Sequence, residues 1–422
     1  MKRVLLLATT TGYQVRSFGE AARAAGATLL LATDRCDQLD DPWADRAIAV
    51  RFLDDSQAIE AAVADCVAQK PDAVLAVGDQ PTVLAAHLNA ALGLPGNPPA
   101  AAVRSRNKLQ ARQAFSHAGL LTPEFQAFSL QEDPAALAAD AEYPVVLKPL
   151  ALSGSRGVIR VNTPAEFIDA FLRLRALMTA ADIRLERDAA HGALLIEAFI
   201  PGVEFAVEGL LSRGEFQPLT IFDKPDALDG PFFEETIYLT PSQQPPAVQQ
   251  LIVDAVGAAA RALGLHHGPI HAECRVNDRG VYVLEVAARP IGGLCAKSLR
   301  FDRPGGQPEP ASLEDVLLRH ALGEDVRGFT REQRASGVMM IPIPGRGIFR
   351  DVHGVDAARA VGGVDDVRIT AKPDSLLVPL PEGRSYLGFI FAHGETPREA
   401  EAALRAAHAQ LRLVIDRDVP VI

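Results

Sequence analysis

The sequence predicts three domains: an α/β domain at the N-terminus, an α+β body, and a β-rich lobe at the C-terminus. Short apolar runs alternate with Ala-rich helical stretches over residues 1–103, a pattern that implies a parallel sheet. Strand-like runs and longer helices follow over residues 104–324, and residues 325–422 are mostly strand-like with one closing helix. A chain of 422 residues is also too long for one compact core and long enough for two or three domains.

The N-terminal domain is predicted to be half of a Rossmann-like domain. Its buried strands are expected at residues 4–8, 28–33 and 73–77, with helices at 18–25 and 57–69. Ligands bind at the carboxyl ends of such strands, which here carry residues 9–12 and the pair Gly78 and Asp79. Gly12 has no Gly-x-Gly-x-x-Gly fingerprint around it, so a scaffolding role is favoured for this domain.

Turn and capping signals divide the rest of the chain. Residues 94–99 contain three prolines and a glycine, which is typical of a linker. Ser105 is expected to cap a helix over 105–118, and Thr163, followed by Pro164, a helix over 163–177. The turn at 277–280 predicts a hairpin of strands 270–276 and 281–286. Further strands are predicted within 143–161 and 194–208, and further helices at 246–263 and 397–411.

The charge and hydropathy pattern exclude two classes of partner. Lys and Arg number 42 against 53 Asp and Glu, which gives a net charge of −11, whereas a nucleic-acid-binding face needs concentrated positive charge. A few local lysines can still hold a small anion. No apolar run reaches the about 18 residues that a membrane span needs, and polar residues directly after residues 4–8 favour a first strand over a signal peptide. We expect neither a nucleic acid nor a membrane as partner.

Metal and redox signatures are weak. The four cysteines, Cys36, Cys66, Cys274 and Cys295, are widely spaced, which favours a reduced cytoplasmic protein with incidental thiols. His267 and His271 invite a zinc interpretation, but the glycine and proline between them prevent a shared helical face. The segment 291–298 resembles a P-loop but lacks two of the required glycines.

An ordered series of polar residues is more informative. Lys108 lies near the start of a helix, Lys148 ends a buried strand, and the small-residue loop 153–157 follows at once. Backbone N–H groups of such a loop can approach phosphate oxygens, although the same composition is also typical of an ordinary β-turn. Glu273 and Glu285 then lie on the two arms of the predicted hairpin, and paired carboxylates suit Mg²⁺. For either glutamate alone, a solvated strand face is the simpler interpretation.

This series resembles the ATP-grasp superfamily and, within it, the carboxylate–amine ligases such as the L-amino acid ligases, with a fold shared by biotin-carboxylase-like enzymes. The likeness runs over the whole chain and is most specific at 107–108, 146–149, 153–157, 197–202 and 284–290. It implies an ATP-grasp fold: a pre-ATP-grasp half-Rossmann domain at 1–103, an ATP-grasp domain at 104–324 with a small lid lobe at about 142–200, and a β-rich lobe at 325–422. Relatives of this kind are often homodimers.

The resemblance also implies a nucleotide site. Lys108 and Lys148 are expected to bind the ATP phosphates. A flexible flap is expected to cover the phosphates, formed by Ser153, Gly154, Ser155, Arg156 and Gly157. The remaining parts of ATP are assigned in the same way, the adenine to Glu197 with the backbone of Phe199 and Ile200, and the ribose to Glu204.

The metal and the substrates complete the implied site. Glu273 and Glu285 are expected to bind Mg²⁺ or Mn²⁺, and Arg289 to contact the transferring phosphate, so that Lys148 and Arg289 are the expected catalytic residues. The substrate residues are expected to be Glu235, Tyr238, His271, Arg289, Gly292 and Gly293. The implied reaction activates a small-molecule carboxylate as an acyl phosphate, which an amine attacks, with release of ADP and phosphate.

Two departures from the family pattern bear on this expectation. Ala287 stands where many relatives carry an asparagine after the second metal glutamate. Tyr238 stands where the dipeptide-forming ligases carry a histidine, which puts dipeptide synthesis in question, while Glu235 can still receive an amino group. Two alternatives stay open: an ATP-dependent carboxylase, as among the biotin-carboxylase-like and purine-pathway enzymes, and a nucleotide-binding sensor or scaffold without catalysis.

Overall fold

A computed structural model describes residues 1–9, 14–34, 47–53, 56–306 and 308–417. Within these ranges, the strands in chain order are β1 (Arg3–Ala8), β2 (Thr28–Thr33), β3 (Ala47–Ala49), β4 (Ala73–Val77), β5 (Phe125–Ser129), β6 (Val145–Pro149), β7 (Ile159–Val161), β8 (Ala193–Ala198), β9 (Val203–Ser212), β10 (Glu215–Asp223), β11 (Ile237–Thr240), β12 (Gly268–Asn277), β13 (Gly280–Ala287), β14 (Arg300–Asp302), β15 (Ala311–Ser312), β16 (Thr330–Arg331), β17 (Ala335–Ile341), β18 (Gly347–His353), β19 (Val364–Ile369), β20 (Leu376–Leu377), β21 (Gly388–Gly394) and β22 (Arg412–Arg417). The α-helices are α1 (Val15–Ala24), α2 (Ser56–Ala68), α3 (Pro81–Leu92), α4 (Pro99–Arg106), α5 (Lys108–His117), α6 (Pro134–Asp140), α7 (Pro164–Leu177), α8 (Ala181–Arg184), α9 (Pro246–Leu263), α10 (Leu313–Ala321), α11 (Val355–Arg359) and α12 (Pro397–His408).

The N-terminal part of the chain forms a four-stranded sheet in the order β3-β2-β1-β4. Its strands pair in parallel, as the alternation of strands and helices predicts. β1 is buried along most of its length because helices cover both faces of such a sheet. The strands predicted at 4–8, 28–33 and 73–77 are confirmed. Residues 10–12 and Cys36 lie outside the described residues.

The prediction of one helix over 105–118 with Ser105 as its cap is wrong. α4 ends at Arg106 and α5 begins at Lys108, because Asn107 takes an extended backbone conformation between them. The Asn107 side chain accepts hydrogen bonds from the backbone N–H groups of Leu109 and Gln110, as a helix cap does. The N–H of Lys108 donates to the carbonyl of Leu150 at 2.8 Å. This break therefore fixes Lys108 at the first turn of α5, next to the loop that follows β6.

A second sheet, here called the lid sheet, has the order β5-β8-β6-β7. β6 and β7 flank the loop 153–157, which the sequence predicts as a flap between two strands. Thr163 caps α7 as predicted, with its hydroxyl accepting from the N–H of Glu166 and Pro164 in the first turn. α7 buries Phe167, Phe171 and Leu174 among the residues of this lobe. The lid sheet thus has its own apolar core.

The largest sheet has eight strands in the order β13-β12-β9-β10-β11-β17-β21-β19. Its edge hairpin of β12 and β13 confirms the prediction from the turn at 277–280. β11 pairs with β17, so this one sheet joins strands from both sides of residue 324, where the sequence predicts a domain boundary. α9 covers one part of it and begins and ends at the predicted residues, and α12 packs on β17 and β21.

The C-terminal lobe is β-rich, as predicted, and includes the three-stranded sheet β20-β18-β22. Its closing helix α12 ends at His408, three residues before the predicted end, and the lobe also contains the short helix α11. The one-helix prediction missed α11 because a five-residue helix shows little periodicity. Among the described residues, no helix is long and apolar enough to cross a membrane.

Candidate active site

A cavity of about 420 Å³ lies where the N-terminal sheet, the lid sheet and the eight-stranded sheet meet. Gly78 and Asp79, at the carboxyl end of β4, contribute to it, as does Thr9. All of the site residues predicted from sequence line this cavity except Gly157; those that line it are Lys108, Lys148, Ser153, Gly154, Ser155, Arg156, Glu197, Phe199, Ile200, Glu204, Glu235, Tyr238, His271, Glu273, Glu285, Arg289, Gly292 and Gly293. The fold thus brings predicted residues from five separate segments of the sequence to one space.

Lys148 and Glu197 form a buried ion pair in the wall of the cavity. Glu197 on β8 lies opposite Val146 on β6, so Lys148, two residues further on, presents its side chain to the same face of the lid sheet. Arg112 of α5 also reaches Glu197, with Nε 2.9 Å from Oε2, and donates to the carbonyls of Val283 and Leu284. This arginine therefore ties the lid sheet to β13.

The two partners of this ion pair have pKa values that move in the same direction for different reasons. Burial lowers the pKa of Lys148 to about 8, because the single carboxylate of Glu197 is shared with Arg112 and does not offset the loss of hydration. Burial alone would raise the pKa of Glu197, but the two cations Arg112 and Lys148 outweigh it and lower that pKa to about 2. Glu197 is therefore a carboxylate at neutral pH.

The loop 153–157, predicted as the flap, lines the cavity with its first four residues. Gly154, Ser155 and Gly157 have positive φ values of 64°, 54° and 74°, which wrap the backbone into a tight turn. A Cβ at Gly157 would lie 2.7 Å from Cγ of Pro149, so the turn also packs closely against the end of β6. The N–H of Gly157 points away from the cavity and donates to the carbonyl of Pro381 at 2.8 Å, which explains why Gly157 does not line it.

The C-terminal lobe fastens this flap. Arg156 donates from Nε to the carbonyl of Glu382 at 2.9 Å and from Nη1 to Asp182 at 2.8 Å. Arg173 of α7 pairs with the Glu382 carboxylate, with Nη2 2.8 Å from Oε2. Arg384, from the same loop of the C-terminal lobe, lines the cavity. The C-terminal lobe is thus part of the site.

The two predicted metal ligands face each other across the hairpin. Glu273 on β12 and Glu285 on β13 are register partners, so their side chains leave the same face of the sheet. Nζ of Lys108 lies 3.8 Å from Oε2 of Glu285. Carboxylate oxygens are the ligands that Mg²⁺ and Mn²⁺ prefer. The donor set of this hairpin fits such an ion.

Lys224, which the sequence analysis missed, lies among three of the predicted site carboxylates. Its Nζ donates to Glu204 at 2.8 Å, to Glu235 at 2.7 Å and to Glu273 at 2.9 Å. Burial alone would lower the pKa of Lys224, but these carboxylates raise it well above its ordinary value. Tyr238 donates its hydroxyl to Oε1 of Glu235 at 2.5 Å. We call these four residues with Glu273 the carboxylate cluster: Glu204, Lys224, Glu235, Tyr238 and Glu273.

The predicted adenine and ribose residues already have partners within the chain. The N–H of Phe199 donates to the carbonyl of Pro144 at 3.0 Å, and the carbonyl of Ile200 accepts from Arg275 at 2.8 Å. Arg275 also donates to Oε2 of Glu204 at 2.9 Å. Among the hydrogen bonds of the described residues, the N–H of Ile200 and the carbonyl of Phe199 stay open to a ligand.

His271 is a buried cation that holds a loop. Its Nδ1 pairs with Glu208, and the other oxygen of Glu208 accepts from the N–H of Ile291 at 3.1 Å. Burial alone would lower the pKa of His271, but Glu208 raises it to about 9. His271 thereby positions Gly292 and Gly293, which follow Ile291 in the cavity wall. A Cβ at Gly292 would meet no atom within 4 Å, so the backbone there leaves open space.

Arg289 is held by the N-terminal domain. Its Nε lies 3.0 Å from Oδ1 of Asp79 and its Nη2 lies 3.2 Å from Oδ2, so the two side chains form a bidentate ion pair. Burial alone would raise the pKa of Asp79, but Arg289 lowers it below its ordinary value. The two residues are 210 positions apart. This pair aims the guanidinium into the cavity from the end of β13.

Several residues of the site could not be identified from sequence. Arg112, Asp79, Glu208, Lys224 and Arg275 are single polar residues in otherwise ordinary helical or strand patterns, and their partners lie far along the chain. Asp79 is the exception, because the sequence analysis placed it just after a predicted parallel strand, where ligands bind. Met340, Ser385, Tyr386 and Phe389 also line the cavity, from a lobe to which the sequence analysis gave no site residue.

Comparison with known proteins agrees with this geometry. A family described as the ATP-grasp domain matches residues 141–298, and one described as L-amino acid ligase C-terminal domain 2 matches residues 339–416. The crystal structure of L-amino acid ligase from Bacillus licheniformis superposes with a TM-score of 0.81 at 27% identity, covering 99% of each chain. Dapdiamide A synthase of Enterobacter agglomerans is 30% identical over 216 residues, which is 50% of this chain and 49% of the synthase.

A second curated relative establishes the family. D-alanine–D-alanine ligase of Geotalea uraniireducens is 30% identical over 240 residues, which is 55% of this chain and 72% of that ligase. Other curated relatives are matched over less of their length: the chain spans 62% of a Sinorhizobium fredii protein and 49% of the dapdiamide synthase. The mixed α/β architecture, the placement of the predicted motifs around one cavity and these matches lead to one conclusion. The chain belongs to the ATP-grasp superfamily, among the ligases that include the L-amino acid ligases.

Proposed function

We propose that this protein is an ATP-dependent ligase that joins the carboxylate of one amino acid, or amino-acid-like compound, to an amine. The observation that carries the proposal is the cavity itself. It collects Lys108, Lys148 and Arg289 for a polyphosphate, and it places Glu273 and Glu285 beside them for a divalent cation. The cavity is larger than a nucleotide phosphate site alone requires, since it extends to Gly292 and to the C-terminal lobe.

The nucleotide is proposed to lie between the lid sheet and the eight-stranded sheet. Lys108 and Lys148 would hold its phosphates, with the flap above them, because ammonium groups and turn N–H groups both favour phosphate oxygens. The trans peptide unit between Phe199 and Ile200 can offer one hydrogen-bonding group to an adenine edge, either the carbonyl of Phe199 or the N–H of Ile200, because the two point in opposite directions. Glu197 supports Lys148 through their ion pair, and Glu204, which lines the cavity, is proposed to accept from a ribose hydroxyl.

Glu273 and Glu285 are proposed to hold Mg²⁺ or Mn²⁺. When bound, such an ion would neutralise phosphate charge and polarise the transferring phosphoryl group. Ala287 lies two residues after Glu285, where it supplies no further ligand atom. The ion would therefore take its remaining ligands from phosphate oxygens and water, as Mg²⁺ commonly does.

The proposed chemistry needs positioning and charge rather than a protein nucleophile. An oxygen of the substrate carboxylate attacks the γ-phosphorus of ATP, ADP leaves, and an acyl phosphate results. The amine nitrogen then attacks the acyl carbon, phosphate leaves, and the nitrogen gives up its proton. Arg289, aimed by Asp79, would stabilise the phosphoryl oxygens, and the closed flap would keep water from the acyl phosphate.

Amino acids are the proposed substrates because the match to the L-amino acid ligase C-terminal domain falls on strands that line the cavity. β17 and β21 of that region supply Met340 and Phe389. Glu235 would receive an amino group, with Tyr238 hydrogen-bonded to it. We place the reaction in the cytoplasm, where the buried thiols of Cys66, Cys274 and Cys295 would stay reduced.

A screen for ADP and phosphate release over paired amino acids and amines, with mass spectrometry of the product, tests the proposal. We expect ADP release that depends on both partners, and its loss in Lys148→Ala and Glu285→Gln with the circular dichroism spectrum unchanged. Lys372→Ala and Glu60→Gln are matched controls, since both side chains are exposed. Full turnover in both site variants would refute the site assignment.

Two other results of the same screen would refute the function. ADP release that needs bicarbonate and no amine would indicate a carboxylase. Tight ATP binding without phosphate release for any acceptor would indicate a sensor or scaffold. An isotope label on the carboxylate oxygen separates the first alternative further, because ligation transfers one labelled oxygen to phosphate.

A further inference from the structure

Lys224 occupies an unusual place beside the active site. It follows β10 directly, and its side chain is only 2% exposed. The three carboxylates that it contacts line the cavity, and they come from three segments: Glu204 from β9, Glu235 from the residues before β11, and Glu273 from β12. One lysine therefore joins residues proposed to serve the ribose, the substrate and the metal.

The geometry of this contact is that of a cation site. An ammonium group has three N–H donors, and Lys224 uses them on three separate carboxylates at 2.8, 2.7 and 2.9 Å. One oxygen from each of Glu204, Glu235 and Glu273 lies within 4.8 Å of the others. Three oxygens so close together are the arrangement that a hard divalent cation takes. Here the ammonium lies among them.

The charges around the cluster agree with this description. Three carboxylates within a few ångströms repel one another strongly when buried. Lys224 supplies one positive charge, and Arg275 supplies a second through Oε2 of Glu204 at 2.9 Å. Tyr238 adds a neutral donor to Glu235. The chain thus offsets most of the negative charge with its own side chains.

We propose that Lys224 is a positioning residue that acts as a built-in cation, keeping a divalent ion out of the space between Glu204, Glu235 and Glu273. The divalent ion of the reaction is then confined to Glu285 and the side of Glu273 that faces it across the hairpin. This inference rests on the proposed function for the role of Glu273 and Glu285.

Replacing Lys224 by methionine tests the inference. Methionine keeps an unbranched side chain of similar length but carries no charge. The three carboxylates then lack their central cation, and we expect the variant to bind one more Mn²⁺ ion per chain than the unaltered protein. The measurement is the count of bound Mn²⁺ by electron paramagnetic resonance on the full chain, without nucleotide or substrate.

Two further variants make the count interpretable. Lys372→Met is the matched control, since Lys372 is exposed, and its Mn²⁺ count should equal that of the unaltered chain. The double variant Lys224→Met with Glu235→Gln replaces one carboxylate by a neutral amide, a weaker ligand for Mn²⁺, so its affinity for the additional ion should fall at least tenfold. If Lys224→Met unfolds without metal, added Mn²⁺ should raise its melting temperature more than that of the unaltered chain.

Several results would overturn the inference. One is a folded Lys224→Met variant with the same Mn²⁺ count as the unaltered chain. Another is an additional ion that persists undiminished in the double variant, and a third is an unfolded variant that Mn²⁺ does not stabilise. The Mn²⁺ count involves no turnover. The inference about Lys224 can therefore be refuted while the unaltered chain still releases ADP, and the proposed function can be refuted while the additional ion is found.

Discussion

The ion pair of Glu197 with Lys148 and Arg112 allows a quantitative prediction for the substitution Glu197→Gln. Glu197 is 4% exposed and accepts from both cations, and Arg112 is the most deeply buried charged side chain of this group at 1% exposed. Glutamine keeps the shape of the side chain but removes its charge. Arg112 would then be a buried cation without this counter-ion, and the pKa of Lys148 would fall further, because Glu197 is the group that raises it.

The magnitude follows from the pKa of Glu197, which its two cations lower from 4.5 to about 2. Each pKa unit corresponds to about 1.4 kcal/mol, so the ionised carboxylate stabilises the fold by about 3 kcal/mol at neutral pH. Breaking a buried ion pair by removing one partner costs about 3–5 kcal/mol, in agreement. Because the folded-state pKa lies below the unfolded one, this contribution is complete above pH 4.5 and is lost as the pH falls from 4.5 toward 2.

Urea unfolding followed by far-ultraviolet circular dichroism at several pH values measures the effect. Glu197→Gln should lower the free energy of unfolding by about 3 kcal/mol at pH 7, and the difference from the unaltered chain should shrink below pH 4.5. Glu60→Gln, at an exposed helix position, should change the free energy of unfolding by less than about 0.5 kcal/mol. A loss below about 1 kcal/mol in Glu197→Gln, or a difference independent of pH down to 2, would refute the reasoning.

Two other predictions concern the same cavity. Because burial lowers the pKa of Lys148 to about 8, its ammonium is lost as the pH rises above that value, and the dissociation constant for ATP should rise about tenfold per pH unit above 8. Titration calorimetry measures this dissociation constant, and Lys148→Arg should abolish its pH dependence. A constant affinity up to pH 9.5 would contradict the assignment. Arg173→Met removes the partly exposed ion pair with Glu382, so it should lower the free energy of unfolding by no more than about 1 kcal/mol. It should nevertheless speed hydrogen exchange at the N–H of Gly157, which donates to the carbonyl of Pro381. An unchanged exchange rate at that amide would show that the pair does not fasten the flap.

The local elements were predictable because their signals are local. α9 begins and ends at the predicted residues, since Pro246 starts it and Gly264, with φ of 80°, follows its end. The same holds for the hairpin of β12 and β13 around its turn. The helix predicted over 105–118 failed for a reason that is also local: Ser105 lies inside α4, which begins at Pro99, and Asn107 caps the next helix, α5.

The sequence by itself determined the fold class, the order of the motifs and the residues that carry the family likeness, because periodicity, capping and motif spacing are properties of neighbouring residues. Only the tertiary structure decided which charges meet. Lys224 contacts carboxylates 20, 11 and 49 positions away, and Arg289 contacts Asp79 at a separation of 210. Such pairs leave no periodic signal, since a buried charge is placed by the packing of whole sheets and its partner can come from any strand that ends nearby. The cavity, and with it the chemistry that we propose, exists only where those sheets meet.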